Sequence, residues 1–153
     1  MTGPSPPDPE DFPHMTKQRL LALVALPLVA VLLSGCLAAD RARSIELVNV
    51  ERQSRGIRAV VDHPTLTDKA QGWAEYLASR RTLVHSNLAQ GAGSGWRALG
   101  ENLAMAGSVD EAHRLLMQSA SHRATLLDGR YSHIGVGVAT NGNRVFVVQV
   151  FGG

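Results

Sequence analysis

The chain has 153 residues, one cysteine and a formal net charge of +2. A single cysteine excludes an intramolecular disulfide and a metal site built from several thiolates. The small basic excess is scattered along the chain, so we expect no nucleic-acid partner.

The first 35 residues predict an N-terminal extension followed by a secretory signal. Lys17 and Arg19 precede an apolar run at 20–33, which is short for a bilayer-spanning helix and is interrupted by Pro27. The stretch before Met15 is proline-rich and acidic, unlike the start of a signal peptide. We therefore expect translation to start at Met15.

The apolar run ends in Leu33-Ser34-Gly35-Cys36, which resembles the lipobox of bacterial lipoproteins. The resemblance implies cleavage before Cys36 and a diacylglyceryl group on its sulfur, which would hold the protein at the outer face of the bacterial cell membrane. An ordinary secretory signal with an incidental cysteine is the alternative. Residues 36–43 are then predicted to be the lipidated cysteine and a short tether.

Three helices are predicted after the tether. One begins at Ser44 and stops at Gly56, a second follows Pro64, and a third begins at Ser108, where Ser108 and Glu111 form a capping-box pattern. Each has a set of residues, mainly apolar, at helical spacing. The sets are Ile45, Val48 and Arg52; Leu66, Ala70, Trp73 and Leu77; and Val109, Ala112 and Leu116.

The end of the chain predicts a β-hairpin. Two β-rich runs, residues 133–140 and 144–152, flank an Asn-Gly-Asn turn at 141–143. Helices followed by a closing hairpin indicate an α+β domain, in which helices pack on a small antiparallel sheet.

Several segments together resemble the CAP superfamily of cysteine-rich secretory, antigen 5 and pathogenesis-related proteins. They are LVHS at 83–86, GENLA at 100–104 and SHRATLLDGRYSHIGVGV at 121–138. The likeness covers residues 44–153 and is greatest to the short, cysteine-free bacterial branch with SCP-like domains. Four further residues lie where such domains carry them: Asn49, Arg52, Gln149 and Phe151. The resemblance implies a three-layer α-β-α sandwich.

The same resemblance implies a cleft lined by two histidines and two glutamates. The matching positions are His85, Glu101 and His122, while Ser119 stands at the position of the second glutamate. Leu116 replaces a tryptophan that is usual in the family. We expect a three-member site in which His85 holds the Glu101 carboxylate.

Two interpretations of these three residues remain open. Two imidazoles and a carboxylate suit a divalent metal such as zinc with an open fourth position. A hydrogen-bonded pair of His85 and Glu101 that fixes the glycine-rich loop needs no metal. We expect the remaining histidines to be solvated or structural, with His113 on the exposed side of the third helix. Within residues 44–153 they are His63, His113 and His133.

Two functions follow, and the sequence does not decide whether the protein is an enzyme. One is a binding module that takes up a lipid, peptide or cell-wall-derived ligand. The other is a peptidase-like hydrolase in which His85, Glu101 and His122 bind a metal that activates water, or in which Glu101 and a histidine act as general base. We favour the binding module, because Ser119 lies in no nucleophile motif and a fold alone does not confer chemistry.

Overall fold

The computed structural model describes residues 36–153, which form one compact unit. The predicted extension, the signal and the Met15 start lie outside the described residues. The elements in chain order are α1 (36–53), β1 (Val61–Asp62), α2 (Pro64–Arg80), β2 (Leu99–Ala106), α3 (Val109–Gln118), α4 (Ala120–Leu126), β3 (His133–Asn141) and β4 (Arg144–Gly152). Within residues 36–153, no helix combines the length and apolar character needed to cross a bilayer.

The sheet has the strand order β1-β3-β4-β2, with β4 antiparallel to both neighbours and β1 parallel to β3. Side chains of β4 alternate between two apolar clusters. Phe146, Val148 and Val150 pack with α2, whereas Val147 and Phe151 pack with α1, α3 and α4. Helices thus cover both faces of the sheet, which confirms the predicted α+β class and the three-layer sandwich.

Two glycines let α2 lie directly on β3. A Cβ atom at Gly135 would collide with the backbone of Leu66, and one at Gly137 with the backbone of Ala70. The predicted apolar stripe of α2 follows this contact, because Leu66, Ala70 and Leu77 are all fully buried. This close approach holds α2, and the loop that leaves it, against the sheet.

The first helix differs from the prediction because it does not begin at Ser44. Residues 36–43 are helical and continuous with α1, and Leu37 packs against the core. The segment contains leucine, alanine and arginine and no glycine or proline, so helix propensity favours this continuation. Arg43 adds an ion pair of 2.7 Å with Asp110 of α3.

The buried end of α1 is held by Arg52, one of the residues that the family resemblance singled out. Its guanidinium group is fully buried and donates hydrogen bonds to four backbone carbonyls at 2.8–3.0 Å. Those carbonyls belong to Arg58, Leu126, Asp128 and Tyr131. Burial lowers the pKa of Arg52, and the nearby Asp128 charge opposes that shift. One side chain therefore ties α1 to the turn that leads from α4 into β3.

The predicted start of α3 is present, but its exposed face was assigned wrongly. Ser108 Oγ accepts the backbone N–H of Glu111 at 3.1 Å, and the Glu111 carboxylate accepts the N–H of Gly107 at 2.8 Å. His113 was predicted to be exposed, yet it is only 8% exposed, and its Nε2 lies 3.9 Å from the Glu51 carboxylate of α1. Burial lowers the pKa of His113, and the charges of Glu51 and Asp110 oppose that shift.

The predicted hairpin of β3 and β4 is confirmed. Asn141 pairs with Arg144 across a two-residue turn, and Gly142 has a φ of 62°, which glycine adopts without strain. The strand β2 was not predicted. Its sequence LGENLAMA is poor in β-branched residues, so its extended form depends on pairing with β4.

Candidate functional site

The three predicted site residues come from three different parts of the fold and approach the same edge of the sheet. Glu101 lies on β2, the outer strand of the described sheet, and faces the α2 side. His85 lies in the loop after α2, and His122 lies on α4 in the opposite layer. The site therefore sits where both helical layers reach the β2 edge.

The Glu101 carboxylate is buried, and it accepts three hydrogen bonds from its neighbours. Its Oε1 lies 2.8 Å from His85 Nδ1 and accepts the backbone N–H of Ser86 at 2.9 Å. Its Oε2 accepts the Ser86 hydroxyl at 2.6 Å. The side chain of Glu101 is 1% exposed and that of His85 is 61% exposed. The expected contact is present, and it holds an exposed imidazole on a buried carboxylate.

The direction of this contact fixes the tautomer of His85. An ionised carboxylate can only accept, so Nδ1 of His85 must carry the hydrogen. The other ring nitrogen, Nε2, is then available as the acceptor or ligand of the pair.

Lys69 supports the same loop from α2. Its ammonium group donates to Ser86 Oγ at 3.0 Å and to the carbonyls of Asn87 and Gln90, both at 2.8 Å. Burial lowers the pKa of Lys69, and the Glu101 charge opposes that shift. Sequence reasoning missed Lys69 and Ser86. The one feature of the sequence that could have indicated a role for Ser86 is its position directly after His85.

His122 forms part of the other wall of the cleft. Its backbone carbonyl accepts a hydrogen bond of 3.0 Å from the Asn102 side chain, which fixes α4 against β2. Burial lowers the pKa of His122, and the neighbouring His85 lowers it further.

Between these walls runs a groove of about 230 Å³ along β2. Its lining is mainly apolar and comes from both helical layers. The lining residues are Leu83, Leu103, Ala104, Met105, Leu115, Leu116, Ser119 and His122. The volume lies below the range of about 300–1,000 Å³ that encloses a small-molecule ligand, so the groove is suited to shallow, extended contact.

Ser119 lines this groove at the junction of α3 and α4. Its hydroxyl oxygen lies 3.3 Å from that of Ser121, and no histidine, lysine or carboxylate among the described residues hydrogen-bonds to it. Leu116, which stands at the position of the family tryptophan, is buried beneath it. Ser119 therefore contributes a hydroxyl group, and no charge, to the lining of the groove.

The fit of these residues to a metal ion differs from the expected three-ligand set. Both carboxylate oxygens of Glu101 are engaged, so His85 Nε2 and the imidazole of His122 are the donors that remain. Among residues 36–153, no group of three or more His, Cys, Asp or Glu side chains has the geometry of a metal site. In this arrangement Glu101 orients the imidazole of His85 through Nδ1.

The other histidines have structural surroundings. The rings of His63 and His133 pack edge to face with centroids 5.5 Å apart, and both contact Trp96. The Nδ1 atom of His133 also lies 2.8 Å from the Ser132 hydroxyl. These two histidines stabilise the end of the sheet near β1.

Residues 45–151 match the model of the cysteine-rich secretory protein family, CAP. The chain belongs to this family. Over 108 residues it is 27% identical to the uncharacterized protein YkwD of Bacillus subtilis, a match that covers 65% of this chain and 42% of YkwD. The match thus spans less than half the length of that relative.

Two solved structures show the same fold. An outer surface protein of Borrelia burgdorferi is similar with a TM-score of 0.69 and 20% identity, over 74% of this chain and 92% of the other. An extracellular protein containing an SCP domain, from Bacillus anthracis, is similar with a TM-score of 0.66 and 22% identity, over 74% of this chain and 40% of the other.

Proposed function

We propose that this protein is a binding module, anchored by a lipid on Cys36 to the outer face of a bacterial membrane, that holds a lipid, peptide or cell-wall-derived ligand in the cleft beside β2. The location is supported by the lipobox resemblance and by the two structural relatives named as outer surface or extracellular proteins. Cys36 is exposed, as an acylated residue must be.

The observation that carries the binding role is the composition of the cleft. Leu83, Met105 and Leu115 are 44%, 37% and 39% exposed, and all three line the same groove. Large exposed apolar side chains that gather in one groove favour association with a ligand, because contact removes their surface from water. The fixed imidazole of His85 supplies a polar group near the groove.

A hydrolase has less support from the same geometry. Glu101 accepts three hydrogen bonds and is shielded from solvent, so it is poorly placed to take a proton from water. The three N–H donors of Lys69 are also engaged, and Ser119 has no base beside it. The residues are arranged to fix the walls of the cleft.

Binding is tested with a matched pair of substitutions in a Cys36→Ser background, which removes the contribution of the anchor. Leu115→Glu places a charge in the groove, whereas Val50→Glu places one on the exposed side of α1. The probes are phosphatidylglycerol vesicles, peptidoglycan fragments and a library of extended peptides. We expect Leu115→Glu to weaken the binding of at least one probe by about tenfold or more, and Val50→Glu to leave it unchanged. Equal binding by both variants, or binding of no probe, would contradict the proposal.

The anchor has its own test. The wild-type protein should fractionate with membranes, and Cys36→Ser should leave the signal uncut or release the protein into the medium. Identical processing and identical distribution of the two proteins would remove the lipid anchor from the account.

A further inference from the structure

The backbone of β2 has one bonded edge and one free edge. Ala98 and Gly153 exchange both of their backbone hydrogen bonds, each 3.0 Å long. In an antiparallel ladder such bonded pairs alternate with non-bonded pairs. The register of β2 and β4 therefore makes bonded pairs of Gly100 with Phe151, Asn102 with Gln149 and Ala104 with Val147. The N–H and C=O groups of the alternate residues, Glu101, Leu103 and Met105, point away from β4.

The hairpin gives the same assignment independently. A two-residue turn makes Asn141 and Arg144 a bonded pair, so the even-numbered residues of β4 bond to β3. The odd-numbered residues of β4 must then bond to β2. This agrees with the pairing deduced from Ala98 and Gly153.

Among the outward groups of β2, the C=O of Leu99 accepts the Tyr131 hydroxyl at 3.3 Å. Within the described part of the chain, no backbone or side-chain bond is made by the N–H or C=O of Glu101, Leu103 or Met105. These groups repeat roughly every 7 Å along the strand, which is twice the rise of one residue. They lie along the groove whose two sides carry Leu83 and Leu115.

The spacing of donors and acceptors selects the class of ligand. An acyl chain has no hydrogen-bonding groups to offer, and sugar hydroxyls do not repeat with the spacing of a strand. An extended polypeptide carries both groups at this spacing, and its side chains alternate between two sides. Apolar side chains at every second position would meet the apolar side chains of the groove.

We infer that the cleft binds an extended peptide with apolar side chains at alternate positions, which adds to the free edge of β2 as a further strand. The inference rests on the proposed binding function and names its ligand class. The backbone hydrogen bonds would provide affinity, and the groove side chains would select the peptide side chains.

The probe is the octapeptide Lys-Val-Thr-Val-Thr-Val-Thr-Lys in three forms: unmodified, N-methylated at every second residue, and N-methylated at every residue. An alternately methylated peptide keeps one edge able to donate, whereas full methylation removes every donor. With the full-length protein, the first two forms should bind similarly and the third at least about tenfold more weakly, because several hydrogen bonds are lost together.

A matched pair of variants tests the protein side. Met105→Pro removes one outward N–H from an edge strand, where proline is tolerated, and Met105→Val keeps that N–H. Met105→Pro should weaken binding of the unmodified peptide by about twofold to tenfold relative to Met105→Val. Amide hydrogen exchange of the wild-type protein keeps the test independent of how the proline variant folds. Added peptide should slow exchange at Glu101, Leu103 and Met105.

Each contrary outcome separates the two proposals. If all three peptides bind equally and Leu115→Glu abolishes that binding, strand pairing is overturned, but the proposed binding function of the cleft stands. No binding of the peptide, with vesicles or peptidoglycan still retained through the groove, would have the same meaning. Protection of the three edge amides without peptide, together with a concentration-dependent dimer, would assign the edge to a second copy and overturn the peptide ligand. Failure of every probe would remove both proposals.

Discussion

The two edges of the sheet are treated in opposite ways. At the β3 edge, β1 covers the first residues, and farther along the Gln71 side chain accepts from the N–H of Val138 and donates to its C=O, at 3.0 and 3.1 Å. At the β2 edge, the Tyr131 hydroxyl bonds to the C=O of Leu99, but no described residue bonds to the outward groups of Glu101, Leu103 or Met105. Free strand edges favour unwanted pairing, so proteins usually cover them. The β3 edge is therefore called the closed edge, and the β2 edge, where most outward groups lack a partner among the described residues, is called the open edge.

The largest expected effect is a loss of stability when α2 is forced away from β3, the strand at the closed edge. Gly137→Ala would set a Cβ atom against the backbone of Ala70, which cannot yield without moving the helix. We expect the free energy of unfolding to fall by about 3 kcal/mol, measured by chemical denaturation. Gly72→Ala is the control, because Gly72 lies in α2 with open space around it. It should leave stability unchanged or raise it by up to about 1 kcal/mol. Equal losses in both variants would refute the close packing.

At the open edge, the metal hypothesis predicts changes in zinc affinity. If His85 and His122 share a metal, His122→Ala should weaken zinc binding at least about tenfold. Ser119→Glu should strengthen it, because a carboxylate would stand beside His122 in the groove. Calorimetric titration of zinc into the three proteins measures both effects. Equal, weak binding by all three would leave His85 and Glu101 as a structural pair.

Removing the cover of the closed edge should cost less than moving the helix. Gln71→Leu leaves the N–H and C=O of Val138 without their partner, so we expect a loss of about 1–2 kcal/mol. Gln71→Glu keeps the acceptor for the N–H of Val138 but cannot donate to its C=O. The free energy of unfolding of this variant should therefore lie between those of wild type and Gln71→Leu. Denaturation curves for the three proteins give the order. A stability of Gln71→Leu equal to that of wild type would show that Gln71 does not close this edge.

The smallest effect concerns pH and two histidines whose pKa values burial lowers. The folded protein binds protons at His113 and His122 less readily than the unfolded chain does. Their contribution to stability is therefore complete above the ordinary histidine pKa of about 6.5 and is lost as pH falls below it. His113→Leu should flatten the stability profile below about pH 6.5. Unchanged pH dependence in this variant would mean that His113 does not contribute, and His122→Asn isolates the cleft residue in the same way.

The sequence predicted those features that depend on local spacing or on the family resemblance. Neighbouring residues are enough to recognise the helix cap formed by Ser108 and Glu111. The same is true of the apolar residues of α2, which repeat with the period of a helix. The contact of His85 with Glu101 followed from the resemblance. By contrast, the burial of His113 depends on α1 packing over α3, which no local pattern in α3 records.

The same limit applies to the cleft. Strand β2 has little intrinsic preference for an extended form, and its free edge is defined by which of its residues bond to β4. Lys69 lies on α2 and bonds to the loop that contains Ser86. From the sequence of α2 alone, Lys69 is expected only to be a polar residue on the helix surface. Such features become visible only when the register and the packing are known.

Amide hydrogen exchange of the full-length protein without ligand tests the difference between the two edges most directly. We expect slow exchange at Asn102 and Ala104, whose N–H groups bond to β4, and at Val138, whose N–H bonds to the Gln71 side chain. We expect fast exchange at Leu103 and Met105 on the free edge. Uniformly slow exchange along β2 would show that the edge is already covered and would contradict the account.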